Sequence, residues 1–571
     1  MGAALLPRFS DPADIQEFVD KLEAFERGAL SSDEFRAFRL VRGVYGQRQE
    51  GAQMLRVKIP FGRLDRRGLD ALADVADRFS RGFGHVTTRQ NVQFHFLQMA
   101  EVESAMHRLD EAGLTTREAC GNSVRSITAH EHSEVCPTAA FDVTPYAEAL
   151  TRHFLRHELA ASLPRKFKIA LSCCADDCAK AAIHDLGLVA EIRDGARGFR
   201  VLAAGGLSSS PASALVLEEW VHAAELGRVS EAVLRMFHRL GNRENRQRAR
   251  LKYVRKKLGV DGFVAAYREV KREVDAEAAL ELALPTHAAG APGAPVSGGS
   301  AEPRPAGYLA WRASNVLSHA DPEHTSVYVR LDLGDATSDQ LRAIGRVAET
   351  YGDGTARLTI DQNVLVPWIH RTALPAVYRE LSAHGLTRPD IHTARDVTSC
   401  QGADTCALAV TSSRSLARAI TERLEAESIE RLDAIRDTVI KVSGCPNSCG
   451  QHHIADLGFH GGAKHVGADT VPVYQLHLGG GVDASGATFG RQAVKIIARR
   501  VPDAVVRLFE LYQSERADGE RPRAFFARLD AKRAVAALGE IVTAAPRADE
   551  GADIGETSGF LVQTGTGECA A

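Results

Sequence analysis

The chain has 571 residues, 44% hydrophobic and 25% charged, with a formal net charge of −3. That length has room for roughly three or four domains of ~150 residues, no apolar run reaches the ~20 residues of a membrane span, and the near-neutral balance gives no global case for nucleic acid or an anionic membrane. Ten cysteines, strongly clustered, are too few for a disulfide scaffold; clustered cysteines in a reducing compartment serve as metal or redox ligands, so a cytoplasmic protein is expected.

Taken in order, the N-terminus has only a short apolar stretch before Asp11, so no secretory signal is expected, and Leu6 stands where a myristoylation pattern wants Ser or Thr. Residues 1–40 read as a helical leader, with Ser31-Ser-Asp-Glu a helix start. In 41–115 the alternation Met54-Leu-Arg-Val-Lys-Ile59 predicts a strand, and Leu69, Leu72, Val75 and Ala76 have helical spacing. Both recur 272 residues later, as Ser326-Val-Tyr-Val-Arg-Leu331 and as Leu341, Ile344, Val347 and Ala348. Thr87-Thr-Arg89-Gln-Asn-Val92 matches Thr359-Ile-Asp361-Gln-Asn-Val364 at the same offset. Periodic self-similarity of this kind marks a duplicated architecture.

The duplication continues through 116–285 and 391–545. Arg125-Ser-Ile-Thr-Ala-His130 matches Arg395-Asp-Val-Thr-Ser-Cys400, and Cys136 stands opposite Cys406. Cys174-Ala-Asp-Asp-Cys178 matches Cys445-Pro-Asn-Ser-Cys449, and Ile183-His-Asp-Leu-Gly187 matches Ile454-Ala-Asp-Leu-Gly458. Each half therefore reads as a small α+β unit followed by a mixed α/β unit that carries the loops. Between the halves, 286–307 has linker composition; 308–390 repeats the first α+β unit, and 546–571, rich in Gly, Asp, Glu and Thr, reads as a loose tail.

The copies differ in chemistry. The second has C-x5-C, a 38-residue gap and C-x3-C (Cys400, Cys406, Cys445, Cys449) in Gly/Pro/Asn turns. Four thiolates in two loops can wrap a cubane iron–sulfur cluster; buried apolar cysteine, the bland alternative, does not account for two tight pairs. The first copy has His130, Cys136, Cys174 and Cys178 there, beside Cys173, which read as a relic of duplication, with a second, His-ligated cluster as the alternative. Cations run the other way. Arg89 faces Asp361 across the repeat, and Arg165-Lys-Phe-Lys168 faces Arg436-Asp-Thr-Val439. A lone Arg or Lys is ordinarily a solvated charge. Lys166 and Lys168, however, share one face of a strand with no acid beside them, as an anion site requires. A two-fold arrangement of the halves would put both sets at a shared interface.

These motifs together (the cysteine pattern, Thr-Thr-Arg89-Gln-Asn, Asn122-Ser-Val-Arg125 and Leu163-Pro-Arg-Lys166-Phe-Lys168) resemble the sirohaem-dependent sulfite and nitrite reductases over roughly Val44 to Arg528. The resemblance implies a pseudo-two-fold α+β fold, internally duplicated, of two ferredoxin-like half-domains and two α/β domains. It implies a 4Fe-4S cluster coupled to a sirohaem, fed by ferredoxin or a flavoprotein, and six-electron reduction of sulfite to sulfide or nitrite to ammonia. Carried over, Cys400, Cys406, Cys445 and Cys449 are the cluster ligands, Cys449 bridging to the sirohaem iron. Arg89, Arg125, Lys166 and Lys168 bind substrate and supply protons, and Arg165 and Asn447 contact the macrocycle. In this family the second Lys of Arg-Lys-x-Lys goes with sulfite, so Lys168 favours sulfite, and a dense positive site suits a dianion.

The alternatives are nitrite reduction, the related precorrin-3B synthase, a non-catalytic electron-transfer or tetrapyrrole carrier, and a structural zinc protein. Arg239 to Lys257, with nine Arg/Lys against Glu244, reads equally as a donor-docking or sirohaem-carboxylate site and as a solvated basic helix. His452 and His453 read as core histidines, Cys569 as an exposed thiol, and Gly479-Gly-Gly481 is too weak to predict NADPH or FAD. A monomer is the expected state.

Overall fold

The computed structural model describes residues 6–277, 280–285, 290–296, 306–427, 435–467, 469–565 and 567–568. It divides into two compact units. One runs to Gly206 and takes in Ala212–Pro389 and Glu568; the other comprises Leu207–Pro211 and Asp390–Gly567.

The first unit opens with α1 (Pro12–Glu26) and α2 (Ser32–Val41), the latter started by a capping box between Ser31 and Glu34. A ferredoxin-like half follows: β1 (Val44–Gly46), β2 (Gln53–Val57), β3 (Arg63–Asp65), α3 (Arg66–Phe79), β4 (Phe83–Val86), β5 (Val92–Leu97) and α4 (Val102–Glu111). Next comes a mixed sheet of β6 (Thr128–Ala129), β7 (Ile169–Ser172), β8 (Leu186–Arg193), β9 (Ala196–Ala203) and β10 (Leu215–His222), ordered β10-β9-β8-β7-β6. Its first three strands pair in parallel and the rest antiparallel.

The second ferredoxin-like half comprises β11 (Val316–Ser318), β12 (His324–Val329), β13 (Asp335–Thr337), α5 (Ser338–Tyr351), β14 (Thr355–Leu358) and β15 (Val364–His370). The 272-residue offset read in the sequence places α5 on α3, β13 on β3 and β14 on β4 residue for residue. The halves exchange edge strands: β13 completes the first sheet against β4, and β3 completes the second against β14. The β4 and β14 edges are thereby each paired by the other half. Leu69, Leu72, Val75 and Ala76 of α3 and Leu341, Ile344, Val347 and Ala348 of α5 lie in one shared core. Gly345 permits this close packing, since a Cβ there would sit 2.7 Å from Arg66 Cδ.

The second unit repeats the mixed sheet with β16 (Thr398–Ser399), β17 (Ile440–Ser443), β18 (Leu457–Val466), β19 (Asp469–Leu478) and β20 (Arg491–Ile497). Strands β7 and β17 are 271 residues apart with matching bounds.

Two composition-based expectations are corrected. Within the expected linker, residues 290–296 lie against the second half: Gly293 N–H donates to Trp368 O (2.9 Å), and Gly293 O accepts from His324 Nε2 (3.1 Å). Its glycines serve close approach, not looseness, because a Cβ on Gly290 would meet Asp353 O at 2.1 Å. Residues 286–289 and 297–305 of that segment lie outside the described residues, as does Cys569. The expected loose tail carries buried charge. In the second unit Glu550 takes two bonds from buried Arg500 (2.7 and 2.6 Å), and Asp553 accepts from Ser412 N–H (2.7 Å). In the first unit Glu568 accepts from Gly46 N–H at 2.6 Å and from Arg39. A buried guanidinium must be paired, and Glu550 and Glu568 supply the pairs for Arg500 and Arg39.

Candidate functional site

In the first unit the four predicted cations are brought onto one framework. Ser123–Arg125 runs beside Phe167, with Phe167 N–H donating to Ser123 O (3.0 Å) and Arg125 N–H to Phe167 O (2.9 Å). Val124 and Phe167 are buried on one side. The period of two therefore turns Arg125, Lys166 and Lys168 to the other. Lys168 N–H is tied to Asp185 (2.9 Å), which also takes two bonds from buried Arg250 (3.1 and 2.7 Å). Arg125 spans the carbonyls of Ala119 (3.1 Å) and Gly121 (3.0 and 2.9 Å), and Arg165 donates to Asn122 Oδ1 (3.2 Å).

Arg89 arrives from the turn after β4. Gln90, in the left-handed region (φ 52), clamps both backbone groups of Ala129 through its amide (2.8 and 3.1 Å). This docks the turn on β6, where Arg89 donates to Thr128 Oγ1 (3.3 Å), to Ser126 O and to His184 Nε2 (2.5 Å). His184 Nδ1 lies 2.7 Å from Lys180 O and must donate there, so its Nε2 lone pair faces Arg89. Burial first, then Arg89 and Lys168, hold His184 well below its ordinary pKa, and it is neutral. Arg89 itself is lowered to about 9 by burial and by Arg125, Arg250 and Arg56, with Asp185 opposing. Such crowding of like charge is relieved by an anion.

Two neighbours were missed by the sequence reading. Lys252, from the basic stretch read as a donor-docking or sirohaem-carboxylate site or as a solvated helix, is buried and lowered to about 7 by burial and then Arg250, with Lys166 adding and Asp185 opposing. Lys58 donates to Val124 O (3.2 Å) beside buried Glu118 and is lowered to about 8, chiefly by burial. No pattern in the chain marks Lys252 or Lys58 as buried. His184 carried a signal, since the repeat has Ala455 in its place.

The first copy's thiols regroup. His130, Cys136 and Cys173 offer ligand atoms within 4.8 Å of one another, with His130 Nδ1 3.1 Å from Cys173 Sγ. Cys174 and Cys178 pair with each other at 3.7 Å. Cys173, which lies beside the cluster-equivalent positions in the sequence, thus joins the trio.

In the second unit β16 and β17 run parallel and deliver the two cysteine loops side by side. Cys400 N–H donates to Val442 O (3.3 Å), and Gly444 N–H points at Cys400 Sγ (3.3 Å). Cys406 N–H closes a turn on Gly402 O (3.0 Å). A Cβ on Gly450 would sit 2.0 Å from Val442 O, and one on Gly444 2.9 Å from Gly402 Cα, so these glycines let the loops touch. Ser448 (φ 58) and Gln451 (φ 65) turn the C-x3-C loop through the left-handed region. Burial, then the charges of Cys449 and Cys400, push Cys445 up to about 12. Cys449 and Asn447 are exposed at the loop's crest. Ser448 Oγ, Gln451 Oε1 and Gln401 Nε2 are buried without a hydrogen-bond partner among the described residues. Sulfurs that repel when charged, in loops where the donors Ser448 Oγ and Gln401 Nε2 lie buried without a partner among the described residues, fit an iron–sulfur cluster, which neutralises thiolates and accepts hydrogen bonds at its sulfides.

The family described as nitrite and sulphite reductase 4Fe-4S domain matches residues 120–274 and 391–543, and the nitrite/sulfite reductase ferredoxin-like half domain matches 45–112 and 318–384. The chain belongs to this nitrite and sulphite reductase family of oxidoreductases, whose cofactors are sirohaem and a 4Fe-4S cluster. It is 31% identical to a ferredoxin–nitrite reductase of Synechococcus elongatus, over 80% of this chain and 86% of that one. It is 28% identical to a sulfite reductase (ferredoxin) of Mycobacterium tuberculosis, over 90% and 92%. The solved structure of the Mycobacterium tuberculosis NirA protein superposes with a TM-score of 0.75 at 26% identity, covering 91% of this chain and 97% of that one. No helix among the described residues is long and apolar enough to cross a membrane.

Proposed function

We propose that the protein reduces sulfite to sulfide by six electrons drawn from ferredoxin. The observation that carries this reading is the gathering of Arg89, Arg125, Lys166, Lys168 and Lys252 in the first unit, where burial first and like-charged neighbours second lower Arg89 to about 9 and Lys252 to about 7. A site this deficient in negative charge favours a small dianion over a monoanion.

Sirohaem coupled to the cluster, when bound, supplies the electrons and the iron that takes the substrate. Cys400, Cys406, Cys445 and Cys449 would hold the cluster, and exposed Cys449 would be the sulfur shared with the sirohaem iron. Arg165, Asn447 and buried Arg250 would meet the macrocycle and its carboxylates. Arg89 and Arg125 present fixed forks to the oxyanion. Neutral His184, gripped by Lys180 O, keeps the Arg89 guanidinium aimed. Each oxygen leaves as water and must be protonated, and lysines with accessible pKa values serve that purpose. Lys166 and Lys168 would deliver protons, and Lys252, poised near neutrality, would replenish them.

The test is sulfide release by purified protein supplied with reduced ferredoxin. Wild type should form sulfide, and Lys168→Asn should lose sulfite turnover while keeping nitrite turnover; a wild type inactive with sulfite overturns the reading. One observation favours nitrite as the second reading: the 31%-identical relative is named a nitrite reductase. Ammonia formed from nitrite, with no sulfide from sulfite, would establish that instead.

A further inference from the structure

The second unit holds a histidine cluster that the cofactor chemistry leaves unused. A 3₁₀ turn at His452–Ile454 lies over the β18–β19 pair, which contributes His460 and His477. Ring centroids of His452 lie 4.1 Å from His453 and 4.9 Å from both His460 and His477; His460 and His477 are 5.0 Å apart. His452, His453 and His477 are buried, and each offers a ring nitrogen within 4.8 Å of the others. We propose that these three, with His460 as the fourth ligand, bind one divalent cation of the zinc class.

Three observations support a built site. First, His452 is fully buried, and neither of its ring nitrogens has a hydrogen-bond partner among the described residues. Leaving both desolvated is costly unless something else satisfies one of them. Second, the outer bonds are those of metal-bound imidazoles, which give their remaining N–H to a backbone carbonyl. His453 Nε2 donates to Ser208 O (3.0 Å), which puts the ring's lone pair on Nδ1. His477 Nδ1 donates to Gly490 O (3.2 Å), which puts its lone pair on Nε2. His460 Nδ1 now donates to that Nε2 at 2.8 Å, and it becomes a ligand once its proton moves to the other ring nitrogen.

Third, the duplication supplies an internal control. At the 271-residue offset and by strand register, the four positions are Ala181, Ala182, Val189 and Leu202 in the first copy. The same turn and strands therefore pack with apolar residues, so the scaffold does not require the histidines. An all-imidazole, buried ligand set suits zinc over hard oxygen-seeking cations. Half-buried His460 gives the route in.

The experiment uses the holoenzyme, equilibrated with zinc chloride and then dialysed, with zinc and iron counted by mass spectrometry. Wild type should keep about one zinc per chain in addition to its iron. Its zinc-edge X-ray absorption should show nitrogen neighbours only. His453→Ala and His477→Leu should each lower retained zinc at least about tenfold. The variant carrying His452→Ala, His453→Ala, His460→Val and His477→Leu, which installs the first copy's residues, should keep its visible spectrum and retain no zinc. Failure of wild type to retain zinc, sulfur in the zinc shell, or undiminished zinc in the fourfold variant overturns the proposal. The absorption measurement needs no variant, so misfolding of a mutant does not shelter it.

Discussion

Cys174–Cys178 and Cys445–Cys449 are the same loop built twice, and they differ in whether the protein alone completes them. Both leave a parallel strand, pass through the left-handed region at the same two places (Asp177 and Lys180; Ser448 and Gln451) and enter a 3₁₀ turn. In the first, Asp177 accepts from Ser172 Oγ (2.6 Å), Ala181 N–H (2.7 Å) and Ala182 N–H (2.9 Å), and Lys180 pairs with Asp361 at 2.7 Å. In the second, the shorter Ser448 and neutral Gln451 leave buried oxygens unbonded among the described residues. One loop is closed by its own side chains. The other is left open to a ligand. Duplication kept the backbone and divided the chemistry.

The largest effect should come from breaking the open copy. Cys449→Ser is expected to lower sulfite turnover by at least about 100-fold and to uncouple the visible and magnetic signatures of cluster and haem. Retained coupling with full activity would sink the assignment. Cys178→Ser at the matched position should leave iron near about five per chain, one cluster plus sirohaem, whereas a fall from about nine would show that the first copy also holds a cluster.

Next is the cationic set that only the first copy has. Arg89→Ala should cost on the order of 100-fold in kcat/KM for sulfite, as expected for removing one charge-stabilising donor. His184→Ala should cost less, with the pH profile unchanged in shape, because His184 only aims Arg89; steady-state kinetics separates the two.

The matched aspartates sharpen the contrast through stability. Asp185→Asn strands buried Arg250 and should cost about 3–5 kcal/mol, read by denaturant unfolding. Asp456, its counterpart, accepts from Val439 N–H but is raised to about 7, chiefly by burial. Its folded form binds the extra proton between the ordinary value near 4 and about 7, so stability falls as pH rises through that window. Asp456→Asn should remove that fall and be mild at neutral pH.

The smallest expected effect concerns Lys252. Folded, it loses its proton near 7, whereas unfolded it keeps it to about 10.4. Between these values the unfolded state binds more protons, so wild-type stability should rise with pH. Lys252→Met should flatten that rise in thermal melts at pH 7 and 9, and an equal rise in the variant would show Lys252 is not its source.

Much was legible in the chain before any coordinates. The duplication was visible because helix and strand periods recur at a constant offset, and α3 and α5 carry the same buried stripe in Leu69/Leu341, Leu72/Ile344 and Val75/Val347. The cysteine loops and the Arg/Lys asymmetry were visible because Gly, Pro and Asn demand turns and because like charges at strand spacing demand an anion. Composition misled at 290–296 and beyond residue 545, where small and acidic residues looked loose; close backbone approach in one case and buried Arg500 in the other required them. Only tertiary structure decided the exchange of β3 and β13, the burial of Lys252, the lock between His184 and Arg89, and the meeting of His452 with His477. Each joins residues far apart in sequence, and burial, which sets a lysine's pKa or brings imidazoles together, arises only when the chain packs.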